Sequence, residues 1–446
     1  MGHLPVYFEQ RLVGTIHIGK SGPDFIYDLD WIGLRGAFPI STAMPLKSGR
    51  IASDIFLPWA ANLLPESEQL RTLGQLLGMA RSDVIGLLSA IGGDTAGALS
   101  IGQPGRTASV HWQPVGKPED LERLIEELPN KPFLVGEEGV SMSLAGAQTK
   151  LAVAVDDTGG VCIPMNGSPS THILKPDSPR LCGGVQNEAF CLTLARRMKI
   201  PTPNVTTGQA GKRTYLLVNR YDRTDVGGRW RRLHQEDYCQ ALGKPPSAKY
   251  ESNQTGIRGP TLKDMFDVTR RHMPPTDIVR LLDMVVMNVL ACNTDAHAKN
   301  YSVMIRAGGA SLAPMYDLMC GEVWEHVTKN LAQKIAGESR GDYLKRRHWQ
   351  RFARECGLNP RQVIDRVDAL AKSVIAEAEA AASEVAAMPA GNHVIVDQTR
   401  QAVERRARAL LAQLQELGDK SAVKHVDEEA ETAGEGAEVA DGAYLS

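Results

Sequence analysis

Asn293-Thr294-Asp295-Ala296-His297-Ala298-Lys299-Asn300 is the stretch around which the rest of the chain is interpreted. It follows an apolar segment with helical periodicity and precedes a hairpin pattern that ends at Met315-Tyr316-Asp317. A phosphoryl-transfer site needs an Asp and an Asn at this spacing, and then a second Asp from a later β-element. In such a site, the first carboxylate accepts the proton of the attacking hydroxyl, while the amide and the second carboxylate hold Mg²⁺.

A structural explanation of the same stretch remains open at this point. Asp and Asn are common in loops because their side chains bond to nearby backbone groups. Two capped turns would therefore produce the same spacing. The two explanations differ in what they require upstream, since only a phosphoryl-transfer site also needs a phosphate-binding loop, a strand lysine and a hinge.

The composition is that of an ordinary globular protein, with 446 residues, of which 43% are hydrophobic and 23% charged. This length suffices for two or three domains or for one large two-lobed enzyme. Seven cysteines without a C-x-x-C pair argue against a disulfide framework or a zinc knuckle and favour a reducing cytoplasm. There is no charged-then-apolar leader, and the longest apolar stretch, 285–292, is too short to span a bilayer. We therefore expect a cytoplasmic protein without membrane contact.

The charge of the chain is unevenly distributed. The formal net charge is −2, but residues 421–446 contain seven acidic residues against the single basic residue Lys424. The remainder has 49 basic and 45 acidic residues, a net charge of about +4, which is too small to predict direct binding to nucleic acid. Residues 418–446, rich in Glu, Ala and Gly, are predicted to form an acidic disordered tail.

Two upstream segments are candidates for phosphate binding. Ser143-Leu-Ala145-Gly146-Ala147-Gln148-Thr149-Lys150 leads into a β-branched strand pattern. Its small residues allow backbone N–H groups to approach an anion, although small residues also form ordinary β-turns. Lys175 ends the apolar run that begins at Thr171, and Pro176 terminates that strand. At this position, Lys175 is either a solvated lysine or a phosphate-binding one.

A helix and a strand exit supply the remaining kinase-like features. Asn187 is predicted to cap a helix over 188–198, which places Glu188 in its first turn. Kinases pair the strand lysine with a helix glutamate, and Glu188 is the nearest candidate, although it can equally complement the helix dipole. The strand over 214–219 leaves through Asn219-Arg220-Tyr221, where a hinge between two lobes is expected, although such strand exits are common.

The pattern as a whole predicts an α+β, two-lobed protein-kinase-like fold with a β-rich N-terminal lobe and an α-helical C-terminal lobe. Four parts are expected, namely an N-terminal subdomain of β meander and helices (1–110), a nucleotide-binding sheet (111–222), a helical lobe with the catalytic loop (223–417) and the tail (418–446). Periodicity predicts helices at 57–64, 66–77, 83–91, 117–128, 235–242, 261–269, 276–292, 348–356, 360–388 and 394–417.

Five motifs in sequence order resemble the HipA serine/threonine kinases, the toxins of bacterial HipBA-type toxin–antitoxin modules. They are Ser-x-Ala-Gly-Ala-Gln-x-Lys at 143–150, Thr-His-Ile-Leu-Lys at 171–175, Gln-Glu-Asp-x-Cys-Gln at 235–240, Asp-Ala-His-Ala-Lys-Asn at 295–300 and Tyr-Asp at 316–317. The resemblance begins near Pro45-Leu46 and extends to about residue 320. Past residue 330 the match is loose.

The resemblance implies a role for each site residue. It makes Asp295 the proton acceptor and Asn300 and Asp317 the Mg²⁺ ligands of an ATP-dependent kinase. It implies an ATP-binding set of Ala145, Gly146, Ala147, Gln148, Thr149 and Lys150 in the phosphate loop, Lys175 on the phosphates, Asn219, Arg220 and Tyr221 in the adenine hinge, and His297, Lys299, Asn300 and Asp317. For His297, a structural or phosphate-contacting role is favoured over that of general base, because Asp295 already supplies a carboxylate.

Ser143 matches the position that the family autophosphorylates, which is implied to eject the phosphate loop and silence the enzyme. The same outcome follows from charge repulsion, because a phosphate adds nearly two negative charges where the loop must bind ATP. The chain departs from the family at Thr149, where an acidic residue is usual, and at Asn219, where a glutamate is often found. Neither departure affects Asp295, Asn300 or Asp317.

The resemblance further implies a growth-arresting toxin, associated with persistence, that phosphorylates an aminoacyl-tRNA synthetase. A HipB-like helix-turn-helix antitoxin is the implied partner, and it would supply the DNA contact. One alternative, from the same enzyme class, is a small-molecule or lipid kinase. The loop with His297 also resembles the D-x-H-x-x-N loops of phosphatidylinositol-kinase-like enzymes, which implies kinship of fold. The other alternative is a catalytically silent co-repressor.

Overall fold

The first part of the chain is built on an antiparallel sheet that helices cover. The computed structural model describes residues 2–20, 22–105 and 109–415, and the tail predicted at 418–446 lies outside them. Up to residue 105 the elements are β1 (Gly2–Phe8), β2 (Arg11–Gly19), β3 (Gly22–Tyr27), α1 (Leu29–Gly33), β4 (Arg50–Ile51), α2 (Ser53–Ala61), α3 (Ser67–Leu77), α4 (Val84–Ile91) and β5 (Leu99–Ile101).

The strand order of this first sheet is β4-β3-β2-β1-β5. The predicted meander is therefore formed by β1, β2 and β3, and β5 pairs with the outer edge of β1. Gly14 is required where β2 pairs with β3, because a Cβ atom there would lie 2.4 Å from the carbonyl oxygen of Ile26 and 2.4 Å from the ring of Phe25. The close approach of the two strands depends on this glycine.

A second antiparallel sheet follows, in the order β10-β11-β9-β7-β8-β6. Its strands and helices are β6 (His111–Pro114), α5 (Pro118–Glu127), β7 (Leu151–Val155), β8 (Val161–Met165), β9 (His172–Pro176), α6 (Gly184–Arg197), β10 (Val205–Ala210) and β11 (Arg213–Asn219). Because β9 pairs with both β7 and β11, it lies inside the sheet. Lys175 is therefore on a strand that is held on both sides.

The last part of the chain is mainly helical. Its elements are β12 (Arg223–Asp225), β13 (Trp230–Arg232), β14 (His234–Asp237), α7 (Tyr238–Ala241), α8 (Leu262–His272), α9 (Pro275–Leu290), β15 (Ser302–Arg306), β16 (Gly309–Leu312), β17 (Asn330–Ile335), β18 (Glu338–Arg340), α10 (Arg346–Glu355), α11 (Pro360–Ala386) and α12 (Val394–Gln415). Every residue of α9 from Leu281 to Leu290 is buried. This helix therefore fixes the loop at 293–300 that follows it.

The fold is thus α+β and two-lobed, as predicted. One core of buried apolar side chains extends from the first sheet to the C-terminal helices, and it includes Val6, Phe25, Phe190, Val286 and Val403. A smaller core, with Leu121, Ile125 and Val153, lies between α5 and the second sheet. Among the described helices, none is both long and apolar enough to cross a bilayer.

Three local predictions are corrected by the structure. The helix predicted to start after Asn187 begins at Gly184, and the Asn187 side chain bonds instead to the backbone N–H of Cys320 at 2.8 Å. The helix predicted over 235–242 is β14 followed by the single turn of α7, because His234 to Asp237 pair with β15. The helix predicted over 57–64 is α2 at Ser53–Ala61, which begins four residues earlier and ends three residues earlier.

Candidate active site

The predicted site residues line one cleft between the lobes. The cleft encloses about 1290 Å³ of atom-free space, a figure that includes the open solvent at its mouth. Thr149 is the one predicted ATP-site residue that does not line it. The others do, namely Ala145, Gly146, Ala147, Gln148, Lys150, Lys175, Asn219, Arg220, Tyr221, His297, Lys299, Asn300 and Asp317, together with Asp295.

Lys175 connects the two lobes at the centre of the cleft. Its Nζ donates to Oε1 of Glu188 at 2.7 Å and to Oδ1 of Asp317 at 2.5 Å. Burial opposes the charged amine, but Asp317 and Glu188 outweigh that effect and raise the pKa of Lys175. The pairing of the strand lysine with Glu188, left open by the sequence, is therefore present, although Glu188 lies in the second turn of α6 and not in the first.

Asp317 is held in a strained backbone conformation. Its φ of +55° lies in the left-handed region, which non-glycine residues adopt at a cost of about 1–3 kcal/mol and mostly at functional sites. Burial acts to raise the pKa of Asp317, but the charges of Lys175 and Lys150 dominate and lower it. Asp317 is therefore ionised, and its carboxylate faces the amine of Lys175.

Asp295 is positioned by hydrogen bonds from three sides. Its Oδ1 accepts from the hydroxyl of Tyr250 at 2.5 Å, and its backbone N–H donates to Oδ1 of Asn293 at 3.1 Å. Its carbonyl oxygen accepts from Nδ2 of Asn300 at 2.8 Å. Burial raises the pKa of Asp295 to about 7, against the opposing effects of Lys249 and Tyr250. Such a carboxylate is suited to accept a proton near neutral pH.

The donor set fits a magnesium ion shared with a nucleotide. Because Nδ2 of Asn300 is bonded to the carbonyl of Asp295, its Oδ1 is the amide atom left for a ligand, and Asp317 adds a carboxylate in the same cleft. In the described part of the chain, no group of three His, Cys, Asp or Glu side chains could hold a metal. An ion here would depend on phosphate oxygens and water as well, which is how Mg²⁺ is usually bound.

The phosphate loop is tied to the start of α3. Its Gly146, with a φ of +101°, accepts from the backbone N–H of Glu66 at 3.1 Å through its carbonyl oxygen. Nε2 of Gln69 donates to the carbonyl oxygens of Ala147 at 2.9 Å and Gln148 at 2.7 Å. These bonds hold the loop against α3 through its carbonyl groups, and the positive φ of Gly146 is typical of turns whose backbone N–H groups bind an anion.

Lys150 and Ser143 flank this loop and are both enclosed. Nζ of Lys150 donates to the carbonyl oxygen of Ala145 at 2.8 Å, and burial lowers the pKa of Lys150 to about 8. Ser143 is fully buried, and its hydroxyl donates to the carbonyl oxygen of Leu63 at 2.6 Å. In this conformation, Ser143 is out of reach of any phosphate donor, so its modification would require the loop to move.

The predicted hinge is only partly available to an adenine. The backbone N–H groups of Asn219 and Arg220 already donate to the carbonyl oxygens of Asn204 and Thr171, both at 2.9 Å. The guanidinium group of Arg220 is buried on the carboxylate of Asp222, at 2.9 and 2.7 Å. Of the three predicted hinge residues, Tyr221 is the best placed, with its ring 5.6 Å from that of Tyr316.

Lys299 and His297 lie in the cleft wall with different constraints. All three donors of Lys299 are used, because Nζ bonds to the carbonyl oxygen (3.1 Å) and Oδ1 (2.7 Å) of Asn62 and to Oδ2 (2.7 Å) of Asp237. Lys299 therefore anchors the catalytic loop rather than offering an amine to phosphate. Burial and Lys249 keep the pKa of His297 well below its usual value, so its ring is neutral.

Sequence patterns missed three polar residues beside Asp295. Lys249 and Tyr250 come from the segment after α7, and Glu66 is the residue directly before α3. Nζ of Lys249 donates to Oε2 of Glu66 at 2.7 Å, and Tyr250 bonds to Asp295. No spacing signal could have linked Glu66 to Lys249, because they are 183 positions apart.

Comparisons with known proteins agree with this geometry. The family model of the HipA N-terminal domain matches residues 4–102, and that of the HipA-like C-terminal domain matches residues 142–378. A putative kinase, Y4mE, of Sinorhizobium fredii is 35% identical over 386 residues, which are 83% of this chain and 90% of that protein. The serine/threonine-protein kinase toxin HipA of Shewanella oneidensis is 30% identical over 348 residues, which are 75% of this chain and 79% of that protein.

A solved structure extends the agreement to the fold. HipA of Shewanella oneidensis MR-1, in complex with HipB and its operator DNA, superposes with a TM-score of 0.79. The superposition covers 92% of this chain and 97% of that one at 27% identity. Since both family models match and the relatives align over most of their length, the chain belongs to the HipA family of serine/threonine-protein kinase toxins.

Proposed function

We propose that this kinase transfers the γ-phosphoryl group of ATP to a serine or threonine of another protein and acts as the toxin of a type II toxin–antitoxin module. One observation carries the proposal. The ion pair between Lys175 and Asp317 and the buried Asp295, with its pKa of about 7, line the same cleft. A phosphate-binding group and a proton acceptor are thereby combined, as phosphoryl transfer requires.

The cleft residues account for the steps of the reaction. Lys175 and the loop of Ala145 to Lys150 hold the nucleotide phosphates, and Tyr221 faces the base. Mg²⁺, when held by Asn300 and Asp317, supplies positive charge to the phosphates. Asp295 accepts the proton of the substrate hydroxyl as its oxygen attacks the γ-phosphorus, while the bond from that phosphorus to the β–γ bridging oxygen breaks and ADP leaves. The family resemblance points to an aminoacyl-tRNA synthetase as the substrate, with growth arrest and persistence as the result.

Partners are inferred from the structural relative. HipA of Shewanella oneidensis was solved with HipB and its operator DNA. We infer a HipB-like helix-turn-helix antitoxin for this chain, and DNA contact mainly through that antitoxin. The charge of the chain supports this division, because the part before residue 421 carries a net charge of only about +4. A cytoplasmic location belongs to the same proposal.

Self-inactivation at Ser143 is the regulatory part of the proposal. Ser143 is buried against Leu63 in the present conformation. A phosphate on Ser143 could not be accommodated there, because the side chain is fully buried and its oxygen lies 2.6 Å from the carbonyl oxygen of Leu63, an acceptor that would face the phosphate oxygens. Phosphorylation would therefore hold the loop outside its place beside α3 and remove the phosphate-binding turn.

The experiment that tests the function is labelling with radioactive ATP. Purified protein, [γ-³²P]ATP and Mg²⁺ are incubated with a bacterial lysate, and the label is followed in polypeptides and in small molecules. We expect label in one main polypeptide. Label in soluble metabolites or lipids would instead support the small-molecule or lipid kinase, and absence of transfer would support the silent co-repressor.

Asp295→Asn serves as the matched control in that assay. The substitution keeps the shape of the side chain but removes the proton acceptor. We expect turnover to fall by about 100-fold or more, equivalent to roughly 3 kcal/mol of transition-state stabilisation. Labelling at the wild-type rate by this variant would show that Asp295 does not have the assigned role.

A further inference from the structure

We propose that Lys249 is a catalytic residue that contacts the transferring phosphoryl group from the Asp295 side of the cleft, and that Glu66 is its positioning residue. The inference rests on the proposed function and adds a cation to it. In phosphoryl transfer, charge is spread over the equatorial oxygens of the moving group, so catalysis depends on prearranged positive charge. Lys175 supplies such charge beside Asp317.

Most other basic side chains of the cleft cannot supply that charge near Asp295. In the described part of the chain, the basic side chains that line the cleft are Lys150, Lys175, Arg220, Lys249, His297 and Lys299. Arg220 is bound to Asp222, and the three donors of Lys299 are all used. His297 is neutral. Lys150 donates a single bond, to Ala145, but it lies in the phosphate loop, where the charges that act on it are those of Asp317 and Lys175 rather than of Asp295.

Lys249 has the position and the spare donors that are required. Its side chain is buried, and Glu66 occupies one of its three donors at 2.7 Å. Within residues 2–20, 22–105 and 109–415, no hydrogen bond is found for the other two donors. The amine lies 5.3 Å from the ring centre of Tyr250, whose hydroxyl bonds to Asp295. Lys249 therefore faces the cleft beside the group that accepts the proton.

The backbone of Lys249 is also fixed to the catalytic loop. Its carbonyl oxygen accepts from the N–H of Ala298, at 3.2 Å, in the middle of the Asp295–Asn300 segment. The effect of Lys249 on the pKa values of Asp295 and His297 agrees with its closeness to both. A cation attached to the loop that carries the proton acceptor keeps its position when substrates enter, as preorganised electrostatic catalysis requires.

Glu66 joins this cation to the phosphate loop. Its backbone N–H donates to the carbonyl oxygen of Gly146, while its carboxylate accepts from Lys249. Its Oε1 lies 3.9 Å from Nζ of Lys299 and has no hydrogen-bond partner among the described residues. The N-terminal part of the chain thus sets the position of Lys249 relative to the loop that binds the phosphates.

The test compares turnover with nucleotide affinity in the full-length protein. The variants are Lys249→Met, Lys249→Arg and Glu66→Gln, with Lys263→Met as the control, because Lys263 forms an exposed ion pair on α8. We expect Lys249→Met to lower kcat by about 100-fold or more while the KM for ATP and the Kd for ADP change less than about threefold. Lys249→Arg should recover part of kcat, Glu66→Gln should lower kcat with ADP affinity kept, and the control should match wild type.

Each remaining outcome has a defined meaning. If Lys249→Met keeps wild-type kcat, or loses ADP affinity and thermal stability along with kcat and is not rescued by Arg, the lysine is only structural and the proposal is wrong. Should Lys249→Met fail to fold because Glu66 is left unpaired, the double variant Lys249→Met/Glu66→Gln removes both charges and is expected to fold with the same loss of kcat. An inactive wild-type protein would instead overturn the proposed function itself.

Discussion

At the scale of single residues, the protonation of each carboxyl group in the cleft depends on its burial and on the charges beside it. Glu188 and Asp317 both pair with the amine of Lys175, yet their pKa values shift in opposite directions. Burial dominates at Glu188 and raises its pKa, whereas the lysine charges dominate at Asp317 and lower its pKa. The side chain of Glu188 is 2% exposed and that of Asp317 is 28% exposed. The structure therefore favours Asp317 as the ionised partner, as a metal ligand must be.

Removing the amine of Lys175 should destabilise the fold as well as the activity. Lys175→Met leaves Glu188 and Asp317 without their direct ion-pair partner, and breaking a buried pair in this way costs roughly 3–5 kcal/mol. Urea unfolding of the purified variants measures the effect. The double variant Lys175→Met/Glu188→Gln should be more stable than the single variant, because only the partly exposed Asp317 keeps its charge. Equal stability of the two variants would contradict this account of the pair.

Sequence alone could suggest some of these residues and not others. Asp295 and Asn300 belong to one loop, so their spacing is visible in the sequence, and Lys175 stands out at the end of an apolar strand. Lys249 gives no such signal, because its relation to Asp295 arises from packing between two separate loops. The sequence does not predict the hydrogen bonds of Lys299 to Asn62 and Asp237 for the same reason, because these residues are distant along the chain. Only a folded chain reveals which lysine retains spare donors.

At the scale of elements, the phosphate loop is the part whose movement the proposed regulation requires. After incubation with Mg²⁺ and ATP, mass spectrometry should find phosphate on the peptide 141–150. Because Ser143 is enclosed, we expect modification to be slow and to be accompanied by loss of ADP binding. Ser143→Ala should remove this phosphate and leave Thr149 unmodified. If no phosphate is found under turnover conditions, self-inactivation at Ser143 is excluded.

The strand β14 holds a loop of the N-terminal part through a carboxyl group with an unusual pKa. Oε1 of Glu236 accepts from the backbone N–H and the hydroxyl of Thr42, at 2.8 and 2.6 Å. Burial raises the pKa of Glu236 from 4.5 to about 7. Between these values, the folded protein binds a proton that the unfolded chain has released, so stability falls as pH rises.

The size of this effect can be measured by comparing the free energies of unfolding of wild type and of a variant that lacks the carboxyl group. The shift of Glu236 corresponds to roughly 3 kcal/mol between pH 4 and pH 8. Glu236→Gln keeps an oxygen acceptor for Thr42 but does not titrate. The free energy of unfolding of wild type, minus that of the variant, should therefore decrease by about this amount from pH 4 to pH 8. If this difference stays constant with pH, the pKa of Glu236 is the same in the folded and unfolded protein, and the raised pKa assigned to it is wrong.

Helices and strands that local contacts define were predicted more accurately than those that form through contacts with distant parts of the chain. The helix predicted over 83–91 lies at Val84–Ile91, because the side chain of Asp83 caps its first turn and so defines its start locally. The segment 235–242 was predicted wrongly because β14 exists only through pairing with β15, about 70 residues later. The start of α6 was misplaced because its cap, Gly183 at a φ of +74°, uses no side chain.

At the scale of the whole molecule, several contacts join distant parts of the chain around the cleft. Lys175 on the second sheet meets Asp317 of the helical lobe, and Glu66 and Asn62 of the first part meet Lys249 and Lys299. The main apolar core also runs through the first sheet and the C-terminal helices. The N-terminal part is therefore a component of the active site's support and not a separate appendage.

These contacts lead to a prediction about ligand-linked stability. The direct contact of 2.5 Å between Lys175 and Asp317 bridges the lobes at the place where a Mg²⁺-nucleotide should bind. We expect the nucleotide to replace this bridge with phosphate on the lysine side and metal on the Asp317 side. Mg²⁺ with ADP at about 100 times its Kd should then stabilise the folded protein by roughly 2.7 kcal/mol, and ADP with EDTA should stabilise it less.

Asp317→Asn separates the metal contribution from that of the nucleotide. The variant retains Glu188 as the partner of Lys175 but loses the carboxylate that would hold the ion. Thermal unfolding should therefore show an ADP-dependent rise in Tm that no longer depends on Mg²⁺, whereas Asp157→Asn, in an exposed turn that does not line the cleft, should behave as wild type. A Mg²⁺-dependent rise that persists in Asp317→Asn would place the metal elsewhere, and the interlobe contact would then be a structural ion pair only.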